Sequence, residues 1–388
     1  VSGLPYVLLV WIATRAAVFA GLLWHGAHAG PGVFATFDGQ WYEHVATVGY
    51  EYAPDGRQHD VAFFPLYPLA VAALMHVVPL PFTLAGPIVN NVAFLVAMAV
   101  VYRWVGERCD VATARWTVAT LCIVPVSLYA SLAYSEGLFM AMSAAALYCF
   151  DRKAYVAAGI AAGLASATRS FGILFFPAFA LAAYREKRGA AAYLAAALAL
   201  GGAGAYSLYC GVRFGDPLAY VHAQRAWRSA LGFDFADWEY VFAYGVTWEW
   251  PYQLAILALG SWWLRRRTSM QAALASAAAF ALGAAEVALW GKEQLTFLFV
   301  FLGGGLVVRY RARFGVAATA YALAALAIIV FSGKPFSAER LAFGIVPLGV
   351  ALGMFWRRFP AFGAAALAVT GSRLPLYALR YAAGFFID

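Results

Sequence analysis

Charge is scarce in this sequence. Only 12% of its 388 residues are Asp, Glu, Lys or Arg, against about a quarter in a soluble globular domain. Too little charge to solvate a surface, together with a 64% hydrophobic fraction, excludes an ordinary soluble fold. Cysteine is nearly missing as well. Cys109, Cys122, Cys149 and Cys210 form no C-x-x-C pair, which excludes a disulfide framework or a thiolate metal site and leaves small buried hydrophobes. No Gly-rich phosphate loop follows a strand, and no stretch has room for a nucleotide-binding domain. No strict apolar–polar alternation occurs, which argues against a β-barrel. Ahead of the first apolar run there is no basic segment, and Arg15 interrupts the run. "AHA" at 27–29 resembles a leader cleavage site, yet this run reads as a retained first span.

What the sequence has in abundance is apolar stretches of bilayer length. They fall at about 4–24, 82–104, 112–131, 136–150, 155–168, 171–184, 190–212, 240–264, 270–290, 294–308, 314–332, 338–355 and 360–380, a span needing roughly 20 apolar residues. The pattern predicts an all-α polytopic membrane protein of about 12–13 transmembrane helices, forming a single integral membrane domain over 1–388. The short runs 155–168 and 171–184 predict a hairpin entering at an angle. The formal charge of +8 is read as the positive-inside rule rather than as a nucleic-acid surface. Arg103/Arg108, Arg152/Lys153, Arg185/Lys187/Arg188, Arg265–Arg267, Arg309/Arg311/Arg313 and Arg357/Arg358 all fall on one side when the runs are counted as crossings. That side is the cytoplasmic one.

The opposite side receives the long segments 25–81 and 213–239, with all six histidines and most of the acids. The working face is therefore expected to be extracytoplasmic, in a bacterial plasma membrane. Short interfacial helices are expected in 25–81. Asp38 would cap one running from Gln40 to Val48, with Trp41, Val45 and Val48 as its apolar stripe. A second would follow "FFPLYP" to about Met75, and a third would open at "GDP" with Asp216 as cap. Asp38 reads two ways, as that cap or as a general base for an acceptor hydroxyl. Glu136 and Arg169 lie in or beside apolar runs, where charge costs roughly 2.5–3.5 kcal/mol. They either pair with one another or serve a ligand, Arg169 by a bidentate phosphate contact. Arg15 reads as structural. Lys334 and Arg340 in "SGKPFSAER" form a basic outer loop suited to a lipid headgroup or pyrophosphate, or else are ordinary loop cations. Trp41, Tyr42, Trp227 and Trp238 sit in the outer loops, where a sugar ring could stack. The substrate-binding set is Trp41, Tyr42, His44, Asp60, Tyr67, Glu136, His222, Gln224 and Trp227. No cofactor is called for. With no Asp-x-Asp and no paired His at helix spacing, a metal is unforced, and a divalent ion stays open. Without a nucleotide domain, a donor already embedded in the bilayer suits this chain best.

The order "FDG" (Phe37–Gly39), "GY" (Gly49–Tyr50), "FFPLYP" (Phe63–Pro68), "PVSLYASLAYSE" (Pro125–Glu136) and "ATRSFG" (Ala167–Gly172) resembles the PIG-V type of mannosyltransferase. That family adds the second mannose in GPI-anchor synthesis and belongs to the GT-C class of multi-span glycosyltransferases. The match covers roughly the first half of the chain, while the second half matches little beyond "FSAER". The resemblance implies a GT-C-like bundle and a polyprenyl-phosphate-linked sugar donor, usually mannose. It also implies inversion at the anomeric carbon, with Asp38 as catalytic base. Arg169, Lys334 and Arg340 would hold the donor phosphate. The acceptor would be a lipid or glycolipid, the other partners membrane lipids, and no nucleic acid is involved. Two rivals are kept: a transporter or flippase of a lipid-linked sugar, and a GT-C enzyme using another sugar or a protein acceptor.

Overall fold

The computed structural model describes residues 3–26, 30–227, 232–246, 293–333 and 337–385, with Trp262 and Arg266. The expected runs at 240–264 and 270–290 fall mostly outside the described residues, as does Lys334. Its first half carries α1 (Leu4–Gly26), α2 (Asp38–Thr47), α3 (Leu66–Val77), α4 (Phe82–Arg108), α5 (Val111–Ile123), α6 (Glu136–Asp151), α7 (Tyr155–Thr168), α8 (Phe175–Arg185), α9 (Ala190–Ala199), α10 (Gly201–Phe214) and α11 (Ala219–Gln224). Beyond it come α12 (Phe235–Val246), α13 (Glu293–Thr296), α14 (Gly304–Arg309), α15 (Arg311–Val330), α16 (Ala338–Phe343), α17 (Val346–Arg358) and α18 (Pro360–Ala382). A π-helical stretch, Phe297–Gly303, joins α13 to α14. Gly232–Phe233 and Ser332–Gly333 make a two-residue parallel pairing.

Four described helices are long and apolar enough to cross a membrane: Leu4–Trp24, Phe82–Arg108, Ala190–Phe214 and Arg311–Val330. Shorter apolar helices at Tyr155–Thr168, Ser170–Arg185 and Phe297–Arg309 accompany them. The chain is an integral membrane protein with an all-helical bundle. α4 packs on α6, α6 on α7, α7 on α9, α1 on α18 and α5 on α17. Small residues set some of these approaches. A Cβ on Gly202 would clash with the Gly163 carbonyl oxygen, so α10 and α7 cross there backbone to backbone.

Two runs that read as single spans are broken. Val124–Pro125 bends the 112–131 stretch by 76°, into α5 and the 3-10 turn Pro125–Ser131, because proline has no amide hydrogen for the ladder. The 338–355 stretch breaks at Gly344–Ile345, which detaches the one-turn-and-a-half helix α16 from α17. The interior turn 125–131 is wholly buried, so its carbonyls need partners from side chains. Arg15, midway along α1, donates to the Ser127 carbonyl at 2.7 Å and the Cys122 carbonyl at 3.1 Å. It also donates to Ser131 Oγ and Ser127 Oγ, each at 2.8 Å. Asn90, on α4, donates to the carbonyls of Tyr129 (2.7 Å) and Leu132 (2.9 Å). Arg15 is structural, as its sequence context implied.

The outer helices differ in detail from the expectation. α2 begins at Asp38 itself, after Phe37 at φ 54°, and has no side-chain cap. The Asp38 carboxylate is therefore not an N-cap; it is directed elsewhere. Tyr42 and Val45 form the buried face with Gly39, while Val48 is 68% exposed. α3 ends at Val77, two residues beyond the expected Met75. At "GDP" the helix starts only at Ala219, and Asp216 accepts a turn hydrogen bond from the Leu218 amide at 2.9 Å.

The Arg-rich turns meet at one end of the bundle. Arg108 pairs with Asp151 at 2.7 Å, and Arg188 donates to the Phe150 carbonyl at 2.9 Å. Arg357 lies 3.7 Å from Asp110, and Arg152 lies 3.6 Å from Glu107. Asp151 closes α6, and Glu136 opens it 15 residues earlier, roughly 22 Å away at 1.5 Å per residue. The candidate site gathers around Glu136.

Candidate active site

Four charged side chains far apart in sequence form one chain of ion pairs. Asp38 Oδ2 accepts from Arg340 Nη2 at 2.7 Å. Arg340 Nε lies 3.4 Å from Glu136 Oε1, and Arg169 Nη1 approaches the same oxygen at 2.6 Å. Glu136 is only 1% exposed, and Arg340 and Arg169 are largely buried. Two guanidinium groups balance two carboxylates, the condition under which charges persist in an apolar interior. Each comes from a break in helical structure: Asp38 starts α2, Glu136 starts α6, Arg169 follows α7, and Arg340 sits in the detached α16. The structure thus brings Asp38, Glu136, Arg169 and Arg340 together. Arg340, read from sequence as an outer-loop cation, is buried in a short helix instead.

The surroundings of Arg340 were not legible in sequence. Its guanidinium lies over the rings of Tyr129 and Tyr134, at 5.2 and 5.4 Å from their centroids, a favourable cation–π arrangement. Tyr134 and Tyr381 both donate to the Thr36 carbonyl, at 3.2 and 3.1 Å, and Tyr381 packs edge-on against Phe37. Two tyrosines, Tyr134 and Tyr381, therefore fix the backbone that presents Asp38. Tyr129 and Tyr134 were visible in "SLYASLAYSE" as a cluster of aromatic residues before Glu136. Nothing around Tyr381 marked it.

A second group lies on the flank of α2. Asp60, 2% exposed, accepts from the Glu51 amide at 2.9 Å and pairs with His44 Nδ1 at 2.8 Å. Burial pushes the Asp60 carboxyl above the usual carboxylate range, against the pull of those two hydrogen bonds. Trp41 stacks on Phe63 at 6.0 Å and meets Trp227 edge-on at 5.8 Å. Gln40, Trp41, His44, Glu51, Gln58, His59 and Asp60 line an open hollow of about 340 Å³.

The remaining expected residues are placed as follows. Tyr42 is buried, bonded to Ser135 Oγ at 2.8 Å and packed on Tyr67 and Phe63. Burial raises its hydroxyl to about 12. Tyr67 is fully buried on the same cluster. Neither lines the hollow. Gln224 donates to the Ala62 carbonyl at 3.1 Å. His222 pairs with Asp216 at 2.7 Å and is not among the residues that line the hollow. Among the described residues, no three His, Cys, Asp or Glu side chains gather as a metal-holding group.

Neither a family model nor a curated protein sequence matches this chain. Its fold is similar to that of ArnT from Cupriavidus metallidurans bound to undecaprenyl phosphate, with a TM-score of 0.57 at 12% identity over 97% of this chain and 77% of that one. The apo state of the same protein gives a TM-score of 0.55 at 12% identity, over 98% and 77%. The Archaeoglobus fulgidus oligosaccharyltransferase in its apo form gives 0.49 at 14% identity, over 97% of this chain and 55% of that one. The helical bundle of this protein thus shares its fold with ArnT.

Proposed function

We propose that this protein is a membrane glycosyltransferase that moves a sugar from a polyprenyl phosphate to a hydroxyl of a lipid or glycolipid acceptor. The observation that carries the reading is the buried chain Asp38–Arg340–Glu136–Arg169. It sets a carboxylate able to take a proton beside two guanidinium groups able to hold a phosphate. A neighbour in fold, ArnT, is seen bound to undecaprenyl phosphate, which supports a donor of that kind here. The sugar is mannose and the subfamily PIG-V-like on the strength of the sequence order around Asp38, Glu136 and Arg169. The site faces the extracytoplasmic side, opposite the Arg-rich turns, and the whole chain works as one membrane domain.

In the reaction, Asp38 accepts the proton of the acceptor hydroxyl while its oxygen attacks the anomeric carbon of the donor sugar. The bond from that carbon to the phosphate oxygen breaks with inversion. The electron pair leaves on the polyprenyl phosphate, whose added charge falls to Arg340 and Arg169, with Lys334 as a further cation. Arg340 donates to Asp38 Oδ2 at 2.7 Å, which occupies the carboxylate oxygen that would take the proton. Exchange of that carboxylate for the donor phosphate frees Asp38 as base only when donor is present. The phosphate is a good leaving group, so no separate general acid is needed.

The test is transfer from polyprenyl-phosphate-mannose to lipid acceptors by the full chain reconstituted in liposomes. Asp38→Asn is expected to lose about 10²–10⁴-fold in kcat, the range of a general base, with the protein still folded by its thermal transition. Full activity in Asp38→Asn would sink the assignment of the base. Movement of the lipid-linked sugar across the bilayer without transfer would replace the enzyme by a flippase.

A further inference from the structure

The hollow beside α2 has a chemistry different from that of the ion-pair chain. Its lining includes two carboxylates, Glu51 and Asp60, two histidines and two glutamines, and among the described residues it has no Lys or Arg. Such a wall repels a phosphate. Its aromatic side is Trp41, held flat against Phe63 and edge-on to Trp227. An aromatic face beside a ring of hydrogen-bonding groups suits a neutral polyol. Its volume of about 340 Å³ lies at the small end of ligand pockets, roughly 300–1,000 Å³, so it takes one sugar unit rather than a chain of them. His44 is oriented for this. Asp60 accepts at Nδ1, which keeps the proton of the neutral ring there and leaves Nε2 as an acceptor for a ligand hydroxyl. Asp60 is itself fixed by the Glu51 amide.

Position on the helix relates this hollow to Asp38. His44 follows Asp38 by six residues on α2, about 9 Å along the axis and about two-thirds of a turn around it. Trp41 lies between them in angle. A headgroup in the hollow is a short reach from Asp38 and on another side of the helix.

We infer that the hollow lined by Trp41, His44, Gln58 and Asp60 is a subsite for a single neutral sugar ring, the headgroup of a glycolipid acceptor. The inference rests on the proposed transferase reading for the word acceptor. The sugar site itself does not need it. The phosphate of the donor goes to the arginines, and the acceptor's ring goes to the hollow.

Two experiments separate the subsite from the reaction. The first needs no activity: diethyl pyrocarbonate modification of His44 in the full chain in nanodiscs, followed by mass spectrometry. His222 is the control, since it is held by Asp216 through the same Nδ1 geometry but lies outside the hollow. Methyl mannoside or methyl glucoside at saturating concentration is expected to slow modification of His44 by about tenfold, the scale of a well-occupied site, and to leave His222 unchanged. Inorganic phosphate protects neither. Trp41→Ala abolishes the protection. Protection by phosphate, no protection by either glycoside, or protection that survives Trp41→Ala would each overturn the site. The second is kinetic. Trp41→Ala and Gln58→Ala are expected to raise the KM for a glycolipid acceptor by about tenfold, the scale of a lost buried contact. The KM for the donor stays unchanged. A raised donor KM with an unchanged acceptor KM would overturn the acceptor assignment. A protein that shows glycoside protection but no transfer would keep the sugar site and refute the transferase reading.

Discussion

At the scale of single residues, Glu136 is a buried charge held by two others. It is 1% exposed and lies between two guanidinium groups, at 2.6 Å from Arg169 and 3.4 Å from Arg340. Glu136→Gln keeps the shape and removes the charge, which leaves two buried cations with one carboxylate. Breaking a buried pair in this way costs about 3–5 kcal/mol. We expect a lower thermal transition in detergent, recoverable in part by adding Arg169→Gln. An unchanged transition would mean that the pair is solvated and not structural. Asp216 makes the opposite, exposed case. The hydrogen bond from His222 holds its carboxyl below the ordinary range, followed by smaller contributions from the Leu218 amide and Tyr52. A depressed folded value means that the stabilisation is present above the unfolded carboxylate value of about 3.9 and is lost as pH falls through the folded one. His222→Ala should therefore move the acid limb of the unfolding profile to higher pH. Superimposable acid limbs would refute the coupling.

Among the elements, the buried turn Pro125–Ser131 carries most of the site's precision. It supplies Tyr129 directly and leads into Tyr134 and Glu136. Its backbone is irregular and buried, so its order depends on Arg15 and Asn90. Asn90 satisfies three backbone groups at once, since it also accepts from the Gly137 amide at 2.7 Å. Asn90→Ala breaks all three bonds, at about 1–3 kcal/mol for a buried group that loses its partner, although the Leu132 carbonyl keeps the Tyr134 amide at 2.8 Å. A loss of roughly 3 kcal/mol or more is expected, whereas Val92→Ala, at a site 57% exposed on the same helix, should stay within about 0.5 kcal/mol. Equal transitions for the two variants would show that the turn holds itself. This element also marks the limit of sequence reading. Apolar length located the spans, and Pro65 and Gly49 bracketed the outer helices, because those signals are local. The 76° bend after α5 was hidden, since Pro125 lies within a continuous apolar run. The pairing of Asp38 with Arg340 spans 302 residues, and no local pattern specifies a partner so distant. Asp38 was legible as a singular acid, but its role as a cap was not upheld, because Arg340 takes the carboxylate that would have turned back to the helix amides.

For the whole molecule, the two clusters of charge sit at opposite ends of α6. Glu136 belongs to the candidate site, and Asp151 belongs to the Arg-rich end through Arg108. The separation of roughly 22 Å over 15 residues approaches the hydrocarbon thickness of about 30 Å. A bilayer between the two ends is the arrangement that leaves both clusters near water and the apolar α1 and α4 in lipid. The positive-inside rule would then orient the proposed site outward. Chemical labelling tests this directly. Asp55 and Arg185 are both exposed, one in the loop beside the hollow and the other at the end of α8. Cys122 and Cys210 are buried, whereas Cys109 and Cys149 are partly accessible at the Arg-rich end. Replacing those two by serine clears the background. In intact cells, a membrane-impermeant maleimide should label Asp55→Cys at once and Arg185→Cys only after permeabilisation. The reverse pattern would put the site in the cytoplasm and remove the reason for a bilayer-embedded donor. Labelling of both positions without permeabilisation would deny that a membrane lies between the two ends of α6, and the proposed division between an outer site and an inner basic face would fall with it.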